Sequence, residues 1–293
     1  MNSETRAFLR GMAFLSPWLI GFFAFTLIPI ALSLYYSFCD FTLLQPALFK
    51  GLANYQHLMS DPVFWKVVGN TAIYAVLALP FGLLAALVAA MLLNLKIRGQ
   101  SIYRTIIFLP SLVPTAAAAM LWLWLFNAKL GLINVALHAL GVVNTPGWLT
   151  DARWAMPALV LMSFWGIGNT VIIFLAGLQD VPRELYEAAN IDGANTLDRI
   201  WHVTLPSISP VIFFNLIMGI IATLQIFVVP FIMTQGGPAR STYFYTMYLY
   251  DNGFSYLKMG YANAMAWVQL LIVLLLTAVA AWSSKHWVHY EGA

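Results

Sequence analysis

Between Gln179 and Pro210 the chain carries Asp180, Arg183, Glu184, Glu187, Asp192, Asp198, Arg199 and His202. The stretches on either side, 154–178 and 208–234, contain no Asp, Glu, Lys, Arg or His. Such a concentration of charge could serve acid–base chemistry, metal ligation or recognition. Covalent catalysis needs a nucleophile within reach of a base, and no G-x-S-x-G element is present. The five histidines, His57, His138, His202, His286 and His289, show no metal-ligand spacing and fall in loops or at the ends of apolar runs. No catalytic and no metal-binding residue is assigned. The segment reads as a recognition element.

Its local grammar is helix–turn–helix. Asp180 is placed to cap a helix whose first turn holds Pro182. Glu184 complements the helix dipole, and Glu187-Ala188-Ala189 continues with helix formers. Asp192-Gly193 supplies a turn in which glycine is free to take positive φ. A second short helix is expected over about Asn195–Val203, broken by Leu205-Pro206 and Pro210. Leu185, Ala188 and Ala189 share one face of the first helix, and the small alanines let another surface approach closely. That face could rest on the bilayer surface or in a protein groove. Surface-lying helices are rich in Lys and Arg; this one is acidic with a small apolar face, which favours the groove.

The elements that hold this loop are set by composition. Hydrophobic residues make up 61% of 293 and charged residues 9%. A soluble domain carries about 25% charged residues, so the solvent over most of this chain must be lipid. Only helices and closed barrels satisfy the backbone there. The continuous apolar runs, rather than alternating ten-residue segments, select helices. The expected fold is all-α: a polytopic membrane protein of about six transmembrane helices in a single domain. The spans are expected at about 12–38, 67–94, 105–127, 154–178, 208–234 and 262–284, with the charged loop at 179–207. The first run is too long for a signal-peptide core and no A-x-A site ends it, so it reads as a retained helix. Pro29, Pro80, Pro110, Pro114, Pro157 and Pro230 fall inside runs and are expected to kink them.

Orientation follows from Lys and Arg. With the N-terminus inside, eight of them (Arg6, Arg10, Lys96, Arg98, Arg104, Arg183, Arg199 and Lys285) face the cytoplasm and six face out. The tight cluster Lys96–Arg98–Arg104 lies in a short inside loop, where the rule counts most. The expectation is N-in and C-in, with the charged loop cytoplasmic. Trp148 and Trp154 fit an interfacial aromatic belt on the other side. The single Cys39 excludes an internal disulfide, and no basic stripe for nucleic acid is present.

No span holds an ionisable group. An ion-coupled carrier buries such groups at depth, so the energy source must lie elsewhere. The polar residues inside the runs are neutral: Asn70, Asn169, Thr170, Asn215, Thr223, Gln225, Asn263 and Gln269. Amides beside Trp and Tyr suit an uncharged polyhydroxyl solute. Asn215, Gln225 and Asn263 are taken as candidates for the path, against the alternative that they bond neighbouring helices. A passive channel for a small neutral solute is the rival reading, though it has no need of an acidic inside loop.

The run Glu187-Ala188-Ala189-Asn190-Ile191-Asp192-Gly193-Ala194, followed by Leu205-Pro206 and Pro210, resembles the "EAA" loop of bacterial ABC importer permeases. The lead-in Ala176-Gly177-Leu178-Gln179 and Pro182-Arg183-Glu184-Leu185-Tyr186 is similar to the carbohydrate-type subfamily. Ile200 and Val203 stand where that family often has Phe and Ile. Ser16-Pro17 through Pro29, Gly236-Gly237-Pro238, Ser241-Thr242 and Gly260–Trp267 resemble its first span, last outside loop and final span. The Gly-Gly-Pro loop is typical of one of two paralogous permeases that pair as a heterodimer.

The resemblance implies a multi-pass subunit of the bacterial inner membrane, importing a sugar or related solute and carrying no cofactor itself. ATP and Mg would be bound by two ATP-binding cassette subunits. The other implied partners are a second homologous permease and a periplasmic or lipid-anchored solute-binding protein, besides membrane lipid. Glu184, Glu187, Ala188, Ala189, Asp192 and Gly193 would form the docking helix and turn that couple ATPase closure to alternating access.

Overall fold

The computed structural model describes residues 3–95 and 98–289, with side chains from Gly11 onward. Lys96 of the basic cluster, and the side chains of Arg6 and Arg10, lie outside the described residues. Among the described residues four helices are long and apolar enough to cross a membrane: Gly11–Ser37, Pro62–Asn94, Ser209–Met233 and Met259–Ser284. Two bent pairs bring the number to six if each is one span: Gln100–Leu112 with Thr115–Leu125, and Ala152–Gly166 with Gly168–Asp180. The protein is thus an all-α polytopic membrane protein. Among the described residues the only strands are Cys39–Asp40 and Leu48–Phe49, a two-residue antiparallel ladder.

The helices run past the apolar cores that define them, taking in Lys66, Arg104 and Arg153 near their ends. Three spans expected to be continuous are interrupted. The third turns by 98° at Val113-Pro114, and the fourth bends by 49° at Ile167. The fifth loses helical geometry at Gln225–Phe227. Proline explains the first break, since Pro114 has no N–H to donate and disfavours helix at the residue before it. At Pro29 and Pro206 the chain keeps its helix instead. A π-helical stretch, Phe23–Leu27 or Ile200–Thr204, immediately precedes each helical segment that begins with the proline at its second residue. The wider turn accommodates the missing donor. Leu205-Pro206 therefore does not end the second loop helix as expected; the interruption falls at Ile208.

The chain divides into two compact units. One comprises Met1–Pro62 and Leu249–Leu271. There Ser33 Oγ donates to Asn263 Oδ1 at 2.8 Å, and Tyr261 OH donates to Asp61 Oδ2 at 2.8 Å. Gly260 lies so close to the Cys39 carbonyl that a Cβ would collide with it. Apolar side chains of the first span face outward, Phe14 and Phe25 above 80% exposed. A lipid solvent tolerates that exposure.

The other unit comprises Val63–Tyr248 and Ile272–Ala293. It holds two buried clusters. One gathers Tyr74, Phe126, Leu159, Met162, Met233 and Phe244, and Trp148 packs against it. The other gathers Ala86, Ala90, Leu93, Phe174, Leu178 and Ile208, with Tyr186 and Val203 of the charged loop packed on it. Gly168 lets two spans approach: a Cβ there would lie 2.8 Å from the Ile107 carbonyl oxygen. Asp151 caps the fourth span by accepting from the Arg153 N–H at 2.9 Å, and the Arg153 hydrogen bonds hold its carboxyl below the usual carboxylate range.

Candidate functional site

The charged loop folds as a short helix, Arg183–Ile191, and a second that starts at Thr196–Arg199 and runs on through the π-helical stretch Ile200–Thr204. Asp180 is the last residue of the preceding helix and does not cap the first; the N-cap is Pro182, in extended geometry. Proline's fixed φ stops the span and starts the new helix at a fresh angle. Gly193 sits at φ +77°, and its N–H donates to the Asn190 carbonyl at 3.1 Å. The Ala194 N–H donates to the Ala189 carbonyl at 2.9 Å. These are the two bonds of a Schellman closure, with glycine at its left-handed position.

Asn195 then starts the second helix with a capping box: its side chain accepts from Leu197 and Asp198 N–H, and Asp198 Oδ2 accepts from the Asn195 N–H. Two side-chain links brace the helices against each other. Arg199 Nη1 donates to Asn190 Oδ1 at 3.0 Å, and Tyr186 OH lies 3.1 Å from Thr204 Oγ1. The loop is a fixed body rather than a slack connector.

Its outer surface holds Glu184, Glu187, Asp192 and Gly193, all exposed. Among the described residues no salt bridge engages these carboxylates. Of the expected apolar face, Leu185 and Ala188 are exposed and Ala189 is half-buried. Three larger apolar residues join them in the open: Ile191 at 86%, and Leu197 and Trp201 each at 66%. Helical periodicity over 184–189 did not reach these three, because Ile191 ends the first helix, Leu197 lies in the second and Trp201 in the π-helical stretch after it.

A second feature lies at the span breaks. A cavity of about 380 Å³ is lined by Ser111 and Thr115 from the third-span break, Trp165 and Asn169 from the fourth, and Thr223 and Ile226 beside the fifth. A neighbouring cavity of about 500 Å³ shares Tyr74, Asn169 and Thr223 with it and adds Thr170 and Asn215. Irregular backbone at membrane depth is tolerated where it lines a cavity, and discontinuous spans recur at transport sites. No Asp, Glu, Lys, Arg or His lines either cavity.

The neutral polar residues separate accordingly. Asn169, Thr170, Asn215 and Thr223 line the cavities. Asn215 and Thr223 donate to carbonyls one turn back, Val211 and Gly219. The Asn169 side chain has no protein partner among the described residues. Gln225 is exposed at the fifth-span break and lines neither cavity; Asn263 accepts from Ser33 in the other unit. Asn70 is an anchor: its Nδ2 donates to the Arg240 and Tyr243 carbonyls at 2.7 and 2.9 Å. Beside it, Thr71 Oγ1 accepts from the Tyr245 N–H at 3.0 Å. Together they tie the Gly236-Gly237-Pro238 loop to the second span. Burial pushes the Tyr245 phenol well above its ordinary range.

Broken spans around an uncharged cavity, with a rigid charged loop emerging from the bundle, define a membrane transport component. The chain belongs to the family described as binding-protein-dependent transport system inner membrane component, whose model matches residues 78–288. It is 39% identical over 287 residues to the probable ABC transporter permease protein YesP of Bacillus subtilis, covering 97% of this chain and 93% of that one. It is 36% identical over 254 residues to the sulfoquinovosyl glycerol transport system permease protein SmoG of Agrobacterium fabrum, covering 86% and 82%.

Two solved structures of a bacterial alginate ABC transporter, one in complex with an alginate pentasaccharide-bound periplasmic protein, share the fold. Their TM-scores are 0.83 and 0.82, at 24% and 23% identity; they cover 96% of this chain, and 96% and 95% of those chains. Membership sets aside the passive-channel reading and places the chain in the inner membrane as a subunit of a larger transport system.

Proposed function

We propose that this chain is the permease subunit of an ATP-driven importer for a sugar or related uncharged polyhydroxyl solute. It supplies half of a translocation path whose other half is a second, homologous permease. The observation that carries the solute class is the pair of cavities at the span breaks. Their polar groups are hydroxyls and the amides of Asn169 and Asn215, with Trp165 and Tyr74 for sugar faces to stack on. A charged solute would leave its ion unpaired there. SmoG, named for transport of sulfoquinovosyl glycerol, supports a sugar-bearing solute.

In this reading the N-terminus and the 179–207 loop face the cytoplasm. Two ATP-binding cassette subunits hold ATP and Mg, and the Arg183–Ile191 helix sits in a cleft on one of them. Ala188 and Leu185 make the close contact, Glu184, Glu187 and Asp192 the charged rim, and Gly193, with half-buried Ala189 before it, fixes the angle. Closure of the ATPases pushes this braced body, and the spans behind it reopen the cavities to the other side. A periplasmic or lipid-anchored binding protein delivers the solute. Of the three path candidates, Asn215 is supported by its position in the cavity wall; Gln225 and Asn263 hold the path only if a partner brings solute to them.

The test is uptake by proteoliposomes carrying the complete transporter. ATP-dependent uptake of a sugar presented by the cognate binding protein, lost on Asn169→Leu with ATP hydrolysis retained, supports the proposal. Uptake of an amino acid or ion with no sugar accepted contradicts it.

A further inference from the structure

Arg104 stands apart from the groups used so far. It lies in the first helix of the third span, Gln100–Leu112, and its Nε is buried with no hydrogen-bond partner among the described residues. No salt bridge engages it among the described residues. It lines a third cavity, of about 230 Å³, and is the only charged residue among the described residues lining it. Gln179 shares this cavity, at the end of the fourth span where the charged loop begins. The remaining wall is apolar, with Ile107, Phe108, Ile172 and Leu175 along it. Ile172 and Gln179 are exposed, so the groove opens on the outside of the bundle.

A guanidinium N–H held from water without an acceptor is costly. A cation and an amide at the end of an apolar groove, at the mouth of a membrane span, match one kind of occupant. The head must be anionic, oxygen-rich and able to accept from a guanidinium fork, and the tail must be apolar. We infer that this groove binds an anionic phospholipid, its phosphodiester on Arg104 and Gln179 and an acyl chain along Ile107, Ile172 and Leu175. Arginine donates in a fork that matches phosphate oxygens, and basic pockets between spans recur as lipid headgroup sites. Gly168 keeps the two walls together, since a side chain there would push the third span away. A lipid in this groove rests against the last turn before Pro182, so it steadies the base of the docking loop.

Native mass spectrometry of the complete transporter in detergent, titrated with phosphatidylglycerol and phosphatidylcholine, tests this. Wild type is expected to retain phosphatidylglycerol about 5-fold better, as one arginine near a membrane surface supplies. Arg104→Gln brings the ratio close to unity, while Arg98→Gln leaves it unchanged. If Arg104→Gln does not assemble, Arg104→Lys gives an intermediate ratio, and Ile172→Trp, which fills the groove, lowers retention of both lipids.

An unchanged ratio in Arg104→Gln, or in Arg104→Lys and Ile172→Trp together, overturns the inference. So does loss of an ATP-binding subunit from Arg104→Gln with lipid retention intact, because the arginine's partner is then a protein carboxylate. Displacement of phosphatidylglycerol by millimolar inorganic phosphate also overturns it, since the site would then read free phosphate. Lipid retention is independent of the transported solute.

Discussion

The Ala194 N–H reaches back 2.9 Å to the Ala189 carbonyl, across a glycine held at φ +77°. This bond ends the Arg183–Ile191 helix and points the chain into the next one. It makes the loop a body with a fixed angle, as the proposed docking role requires.

Gly193→Val tests whether that angle matters. No atom lies within 4 Å of where a Cβ would sit, so the change brings no clash. It forces a β-branched residue into left-handed geometry, at about 1–2 kcal/mol. Insertion and helix content are expected to stay as in wild type, with substrate-stimulated ATP hydrolysis and uptake lost. Gly193→Asn, which accepts this region more readily, is expected to keep most of the activity. Equal loss in both, measured as coupled ATPase in liposomes, would show that the angle is not what fails.

The bracket from Arg199 to Asn190 is expected to hold the two loop helices together. Arg199→Leu removes it and leaves the exposed helices to open. The local destabilisation is about 0.5–1.5 kcal/mol, the usual net worth of a hydrogen bond. Amide hydrogen exchange across 183–191 is then faster by several-fold, while the spans are unaffected. Unchanged exchange would mean that Tyr186 and Thr204 suffice.

On the opposite loops, Asn70→Leu keeps the volume and leaves the Arg240 and Tyr243 carbonyls without their donor. The expected cost is about 1–3 kcal/mol. It is read as a lower melting temperature and faster proteolysis within 236–245. A melting temperature equal to wild type would mean that the loop is held by its own turns.

Among the polar residues at membrane depth, effects on uptake are expected to follow the cavities. Asn169→Leu is expected to be most damaging, Thr223→Val less so, and Gln225→Leu mild. ATP hydrolysis by the complete transporter is the control that separates a path defect from a coupling defect. A Gln225 variant worse than the Asn169 variant would move the path away from the span breaks.

Much of this was legible in the chain because lipid imposes a strong rule: long uncharged runs must be helices. The same rule hid the breaks. Ile167 between Gly166 and Gly168, and Gln225–Phe227 ahead of Pro230, sit inside runs whose hydropathy never falters; Ile167 and Ile226 border cavities that no local pattern records. Pro114 was visible as a kink, not as a 98° turn. In the loop, Glu187 through Gly193 could be read from helix formers and the turn glycine. Ile191, Leu197 and Trp201 could not, because their exposure depends on how Arg199 folds one helix against the other. Asn70 was visible only as a neutral polar residue inside a run, since its partners are carbonyls some 170 positions away.

The central claim is that the 183–191 helix docks on an ATP-binding subunit. The direct measurement places a photo-crosslinking amino acid at Ala188 in the complete transporter, with a control at Leu140 on the loop assigned to the other side of the membrane. The expected result is a covalent adduct with the ATP-binding subunit from position 188 and none from 140. An adduct from 140, or an assembled transporter in which 188 captures only lipid, would contradict it.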